Sequence, residues 1–177
     1  TMSVLDFGPE TRPVDLVFVH ANGFHGATYR RLLAPLSPSL RILAPDLRGH
    51  GLSRLPAMPT WRRNWFDFRD DLISLLDRLG GPPVVLAGHS MGATSALLAA
   101  AERPDRVAAM VLCDPVVMSP ARVAMLSAPG LGRLARYWPI TRAALRRRDQ
   151  FAGREEAMQR FRGRGAFKGW PDMALAD

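Results

Sequence analysis

Ser90 is the residue of this chain whose type and setting suit it to act as a nucleophile: it stands at the centre of Gly88-His89-Ser90-Met91-Gly92. Taken alone the G-x-S-x-G pattern is weak, because glycine and serine are common and chance matches occur. Its surroundings promote it. An apolar run at residues 84–87 leads directly in, and an alanine-rich run at residues 91–101 leads directly out. A strand–turn–helix this tight requires the serine's neighbours to lack side chains, which accounts for Gly88 and Gly92. The turn also lifts the hydroxyl above the sheet edge, at a helix N-terminus whose dipole favours developing negative charge. The expected chemistry is attack of the serine oxygen on an electrophilic carbon. The competing reading is an ordinary strand-to-helix turn with a capping serine.

The elements that must hold this serine follow from periodicity. Residues 15–20 form a β-branched apolar run, hence a buried strand, and residues 40–45 a second one. Residues 27–36 have helical spacing, with Tyr29, Leu32, Leu33 and Leu36 on one side. A glycine-punctuated loop follows at 46–53. Residues 61–79 predict a long amphipathic helix, with Trp65, Phe68, Leu72, Leu75, Leu76 and Leu79 at three- and four-residue steps. Gly80, Gly81, Pro82 and Pro83 stop it. Residues 84–87 are apolar at consecutive positions, as in a strand covered on both faces, and residues 107–113 predict another buried strand. Four strands joined by helical crossovers predict an α/β fold with a parallel, doubly wound sheet. From Val116 onward, helix-like pieces broken by Pro120, Pro129, Pro139 and Gly153 carry no strand signal. The expected organisation is a core over residues 1–118 and a helical lid over 119–177.

Composition narrows the class. A chain of 177 residues with 47% hydrophobic and 23% charged content can build a real core, which excludes a disordered or low-complexity protein. No apolar run is long enough to span a membrane and no leader pattern opens the chain, so a cytoplasmic protein without membrane contact is expected. The single cysteine, Cys113, cannot form an internal disulfide and is expected to be a buried thiol. The net charge of +8 is uneven: +1 over residues 1–118 and +7 over 119–177. Arg146, Arg147 and Arg148 form the dense basic cluster. A solvated helix face is the preferred reading there over a nucleic-acid site.

These features, in this order, resemble the α/β-hydrolase superfamily over about residues 4–118. The matching segments are His20-Ala21-Asn22-Gly23-Phe24, the loop from Pro45 through Leu47-Arg48-Gly49-His50-Gly51 to Ser53, the Ser90 turn, and Asp114-Pro115. The resemblance implies a sheet of that type, here incomplete, with the start of the lid. It implies that Ser90 is the nucleophile and that the Met91 N–H helps hold an oxyanion. The second oxyanion donor is expected from the Asn22 N–H. Ala21 departs from the glycine usual there, so Gly23 and Phe24 remain alternatives. His20 is expected to orient the loop, with Arg48 and His50 stabilising theirs. The implied activity is a serine hydrolase acting through an acyl-enzyme on a small ester, thioester, amide or related carbonyl substrate, without metal or organic cofactor. Haloperoxidase-like and carbon–carbon-bond hydrolases share the serine. Haloalkane dehalogenases and epoxide hydrolases resemble the family with aspartate at that position.

In this family the triad runs Ser, then Asp or Glu, then His. All four histidines here lie at or before position 89. Some members place the acid where Asp114 stands, others one strand later, and Asp114-Pro115 is also a common structural pair. The base is therefore expected from outside these residues, most simply from a C-terminal half of the same protein, with the fragment inactive alone. A cleaved enzyme, a truncated form and a natural short relative serving as a non-catalytic binding protein are the readings that follow. Without further strands, residues 107–113 would be an exposed apolar edge.

Overall fold

The computed structural model describes residues 1–57, 64–128, 137, 142, 146, 148 and 150–176. It divides into two units, Thr1–Val117 and Met118–Asp177. Trp61, Trp138 and Arg147 lie outside the described residues.

The first unit is built on five strands, β1 (Val4–Phe7), β2 (Leu16–Val19), β3 (Ile42–Pro45), β4 (Val84–His89) and β5 (Val107–Cys113). Their order across the sheet is β1-β3-β2-β4-β5. The four strands expected from the sequence run parallel. The fifth, β1, was not anticipated; it lies antiparallel to β3, with Val4 opposite Pro45 and Phe7 opposite Ile42. Four residues with a central aspartate carry little strand signal of their own, and the neighbouring strand supplies it.

Period-two alternation sends successive side chains to opposite faces. Val17, Val19, Leu43 and Leu86 meet the buried side of α2 (Phe66–Leu79), which offers Phe68, Leu72 and Leu76. The same face meets Met91, Ala96 and Ala99 of α3 (Met91–Glu102). On the other face Phe18, Ile42, Ala44 and Ala87 pack with Leu33. Helical segments thus cover both faces, and the core of the sheet is doubly wound as expected.

Two expectations are corrected. Residues 27–36 are not one helix: a 3-10 turn (Gly26–Tyr29), a single α turn α1 (Arg30–Leu33) and a second 3-10 turn (Ala34–Leu36) follow one another. Pro35 has no N–H to continue an α ladder, and the altered pitch rotates the apolar residues apart. Leu33 is buried while Leu32 is 60% exposed and Leu36 is 43% exposed. The second correction concerns the reading of residues 107–113 as buried: β5 is the exposed apolar edge also expected where no further strand pairs with it. Val107 and Leu112 pack against the core, but Met110 is 44% and Val111 52% exposed, and Cys113 is exposed rather than buried. Consecutive apolar residues mark a strand suited to cover on both sides; β5 pairs with β4 alone among the described strands.

The second unit contains α4 (Pro120–Ser127), α5 (Arg154–Phe161) and a short α6 (Asp172–Leu175) among its described residues. Ser119 opens α4 by accepting the Arg122 N–H on its hydroxyl. The rings of Phe151, Phe161, Phe167 and Trp170 contact one another in sequence at separations of 5.6, 4.8 and 5.3 Å, a half-buried aromatic cluster within this unit. Arg148 of the basic cluster lies over the Phe151 ring and pairs with Glu156 at 2.6 Å. No described helix is long and apolar enough to cross a membrane.

The two faces of this packing give a direct comparison. Leu72→Ala removes a side chain with no exposure and is expected to lower stability by about 2–5 kcal/mol. Leu32→Ala, which removes an equally apolar but exposed side chain, is expected to stay within about 0.5 kcal/mol of wild type. Urea unfolding followed by circular dichroism measures both.

Candidate functional site

Ser90 sits between β4 and α3 with φ 52° and ψ −117°. An L-residue held there stores on the order of 1–3 kcal/mol of backbone strain, and such residues gather at functional sites. The flanking glycines allow the bend. A Cβ on Gly88 would lie 2.7 Å from the Ala93 nitrogen and the Gly92 carbonyl carbon, and one on Gly92 would collide with the carbonyl oxygens of Val19 and His20. The turn is pinned from two sides. The Ser90 N–H donates to the Cys113 carbonyl at 2.8 Å, and the Thr94 N–H donates to the Ser90 carbonyl at 3.1 Å. The Ser90 side chain is half-buried, and its hydroxyl has no hydrogen-bond partner among the described residues. The Met91 N–H, first of the α3 amides without an intrahelical acceptor, is likewise unengaged among them.

The close approach of Gly92 to Val19 and His20 brings the loop after β2 beside the first turn of α3. Within that loop His20 is fully buried. Its Nδ1–H donates to the Ala21 carbonyl at 2.8 Å and its Nε2 accepts the Leu47 N–H at 2.9 Å. Burial pushes its pKa down to about 4. A neutral imidazole with both nitrogens used orients two loops. The Phe24 N–H donates to the Ala21 carbonyl at 3.1 Å.

Three further side chains hold these loops together, none singled out from the sequence for that role. Asp46, buried at the end of β3, accepts the Gly26 N–H at 2.8 Å on one oxygen and the Leu52 N–H at 2.9 Å on the other. The Tyr29 hydroxyl accepts the Ala21 N–H at 3.2 Å and is hydrogen-bonded to His89 Nδ1 at 2.7 Å. Thr94 accepts the Val116 N–H at 2.9 Å. Arg48 leaves its loop to pair with Asp71 of α2 through two 2.7 Å bonds. His50 stays in it, with Nδ1 3.0 Å from the Arg48 carbonyl and Nε2 3.2 Å from the Asn22 side-chain oxygen Oδ1. A carboxylate beside Gly49 and Gly51 was a readable signal for Asp46; nothing local marks Tyr29 or Thr94.

Asp114 follows Cys113, whose carbonyl takes the Ser90 N–H, so the two candidate residues share one end of the β4–β5 pair. It has φ 48°, and besides Ser90 it is the non-glycine residue with a positive φ among those described. The loop behind it is clasped to α3 by the Thr94–Val116 bond. Its carboxylate is exposed. No histidine among those described hydrogen-bonds to the Ser90 hydroxyl, and no three His, Cys, Asp or Glu among the described residues gather as a metal site.

The depressed His20 pKa has a consequence for stability. The unfolded chain protonates this group below about 6.5 while the fold resists until about 4, so stability is complete above pH 6.5 and falls as pH drops toward 4. Between pH 6.5 and pH 5 the loss is about 2 kcal/mol. His20→Gln is expected to be less stable at pH 7 and to lack this component of the slope, which urea midpoints at several pH values measure.

Comparisons with known proteins agree with this architecture. The model of the Alpha/beta hydrolase family matches residues 16–176. Lipase LipV of Mycobacterium tuberculosis (strain ATCC 25618 / H37Rv) is 41% identical over 134 residues, which cover 72% of this chain and 49% of that protein. Monoglyceride lipase of Homo sapiens is 38% identical over 117 residues, covering 63% of this chain and 38% of that one. The crystal structure of E-2-(acetamidomethylene)succinate hydrolase is similar at a TM-score of 0.72 and 26% identity, covering 99% of this chain and 57% of that chain. The chain thus spans about half or less of the length of the two lipases it matches. From the strand before the His20 loop through the Ser90 turn and beyond, the match takes in most of the molecule: the chain belongs to the alpha/beta hydrolase family.

Proposed function

We propose that this chain carries the nucleophile half of a serine hydrolase that cleaves an ester, thioester, amide or related carbonyl compound through an acyl-enzyme. The observation that carries the reading is the Ser90 hydroxyl, unengaged among the described residues on a strained turn at the head of α3. The Ser90 oxygen attacks the carbonyl carbon as its proton passes to a base. The developing oxyanion is held by the Met91 N–H and by the N–H of Asn22, and such donors are worth roughly 3 kcal/mol each in comparable sites. Collapse expels the alcohol, thiol or amine with that proton, and water then hydrolyses the acyl-enzyme.

The base in this reading is a histidine from a part of the protein beyond these 177 residues, since His20 is consumed by its two hydrogen bonds and His89 is bonded to Tyr29. Asp114 is the acid that orients it, its positive φ and shared strand end with Ser90 being the support. The second unit is assigned as the start of a helical lid segment. Among carbonyl substrates a carboxylic ester is favoured, because two relatives are named as lipases.

A fluorophosphonate probe applied to the complete gene product tests the nucleophile. Wild type is expected to be labelled on Ser90, and Ser90→Ala to lose both the label and at least about 1,000-fold of esterase activity. Equal labelling of Ser90→Ala, or a wild type that stays unlabelled, would overturn the reading in favour of a non-catalytic binding protein on the same scaffold. Asp114→Asn is expected to lower kcat strongly while leaving KM within a few-fold; an unchanged kcat moves the acid elsewhere.

A further inference from the structure

We propose that Tyr29 is a positioning residue: its hydroxyl ties the oxyanion loop to the strand end that carries Ser90 and holds His89 as the Nε2–H tautomer. The proposal rests on Ser90 as the nucleophile and adds a residue that neither the motif nor the family match assigns. Its basis is where the two bonds fall. The hydroxyl accepts the N–H of Ala21, the residue immediately before Asn22, and is hydrogen-bonded to the side chain of His89, the residue immediately before Ser90. One oxygen therefore joins the peptide next to a candidate oxyanion donor to the side chain next to the attacking group.

Proton accounting sets the direction. A phenol has one proton to give. With its oxygen accepting from Ala21, the proposal directs that proton to His89 Nδ1, 2.7 Å away, as the unprotonated nitrogen. The remaining imidazole proton sits on Nε2. Burial pushes the Tyr29 phenol above its ordinary pKa, so it remains a donor across neutral pH.

The ring itself is held by the core, which is what lets a single hydroxyl transmit position. Phe18 of β2 lies 4.6 Å from the Tyr29 ring and Phe24 6.2 Å, while the His89 ring stands edge-on at 6.0 Å. Tyr29 also packs on the buried set of Phe18, Leu33, Ile42, Ala44 and Ala87. The loop and the turn are thus both referenced to the same face of the sheet.

Tyr29→Phe keeps the ring and removes only the tie. Small displacements of a reacting group cost up to about 100-fold in rate, so on the complete gene product kcat for a p-nitrophenyl ester is expected to fall about 10- to 100-fold with KM within about 3-fold. His89→Leu is expected to lose a similar amount, and the double variant no more than either alone, because both changes cut the same link. His89→Asn, whose side-chain oxygen falls near the Nδ1 position, is expected to lose less than His89→Leu. Independently of activity, 15N spectra of wild type are expected to show His89 protonated on Nε2 and not on Nδ1, a pattern lost in Tyr29→Phe. An unchanged kcat in Tyr29→Phe, losses that add in the double variant, or a His89 protonated on Nδ1 each overturns the proposal while leaving Ser90 labelling intact. A wild type unlabelled at Ser90 overturns both.

Discussion

The constraint on which the rest of the site depends is the near-contact of three pieces of backbone around residue 90. Strand β4 must turn into α3 without the usual loop, and α3 must start hard against the end of β2. Gly92 faces the Val19 and His20 carbonyls and Gly88 faces the backbone of residues 92–93 at distances where a methyl group would collide. With those two side chains absent, the chain can place Ser90 in a conformation that L-residues avoid and hold it there with the Cys113 carbonyl and the α3 ladder. The strain is tolerable because β2 and β4 beside the turn are largely buried and paired.

That close packing leaves several buried polar groups which must be satisfied, and their partners are what shape the neighbouring loops. Asp46 joins the Gly26 amide of the segment after β2 to the Leu52 amide of the loop after β3, and His20 joins the loop after β2 to the Leu47 amide. An unpaired group at any of these positions would cost about 1–3 kcal/mol. The network is therefore both a stability device and a positioning device. Neutral His20 illustrates the point: burial depresses its pKa to about 4, and this suits it to accept one hydrogen bond and donate another rather than to shuttle protons.

The opposite end of the sheet is organised differently. Strand β5 is rich in apolar residues and yet carries exposed Met110 and Val111. Its inner edge is nonetheless indispensable to the turn, since it supplies the Cys113 carbonyl to Ser90 and leads at once into Asp114. The Thr94 hydroxyl, bonded to the Val116 amide, ties the loop carrying Asp114 to the helix that follows Ser90. The Ser90 turn and the Asp114 loop are thus braced against the same helix.

Local pattern in the sequence was sufficient for the parallel strands, for α2 and its buried face of Phe68, Leu72 and Leu76, and for a sharp turn at Ser90. Each of these rests on periodicity or on glycine placement within a few residues of chain. Beyond local pattern lay β1, which is a strand only because β3 pairs with it, and the broken helix at residues 26–36, whose pitch Pro35 and its neighbours alter. The exposure of β5 and Cys113 likewise depends on what packs beside the strand and not on its own apolar residues. The roles of Tyr29, Asp46 and Thr94 were decided by the tertiary structure alone. A hydrogen bond joining residues 29 and 89 leaves no trace in the residues adjacent to either, because it exists only once the sheet has brought the two together.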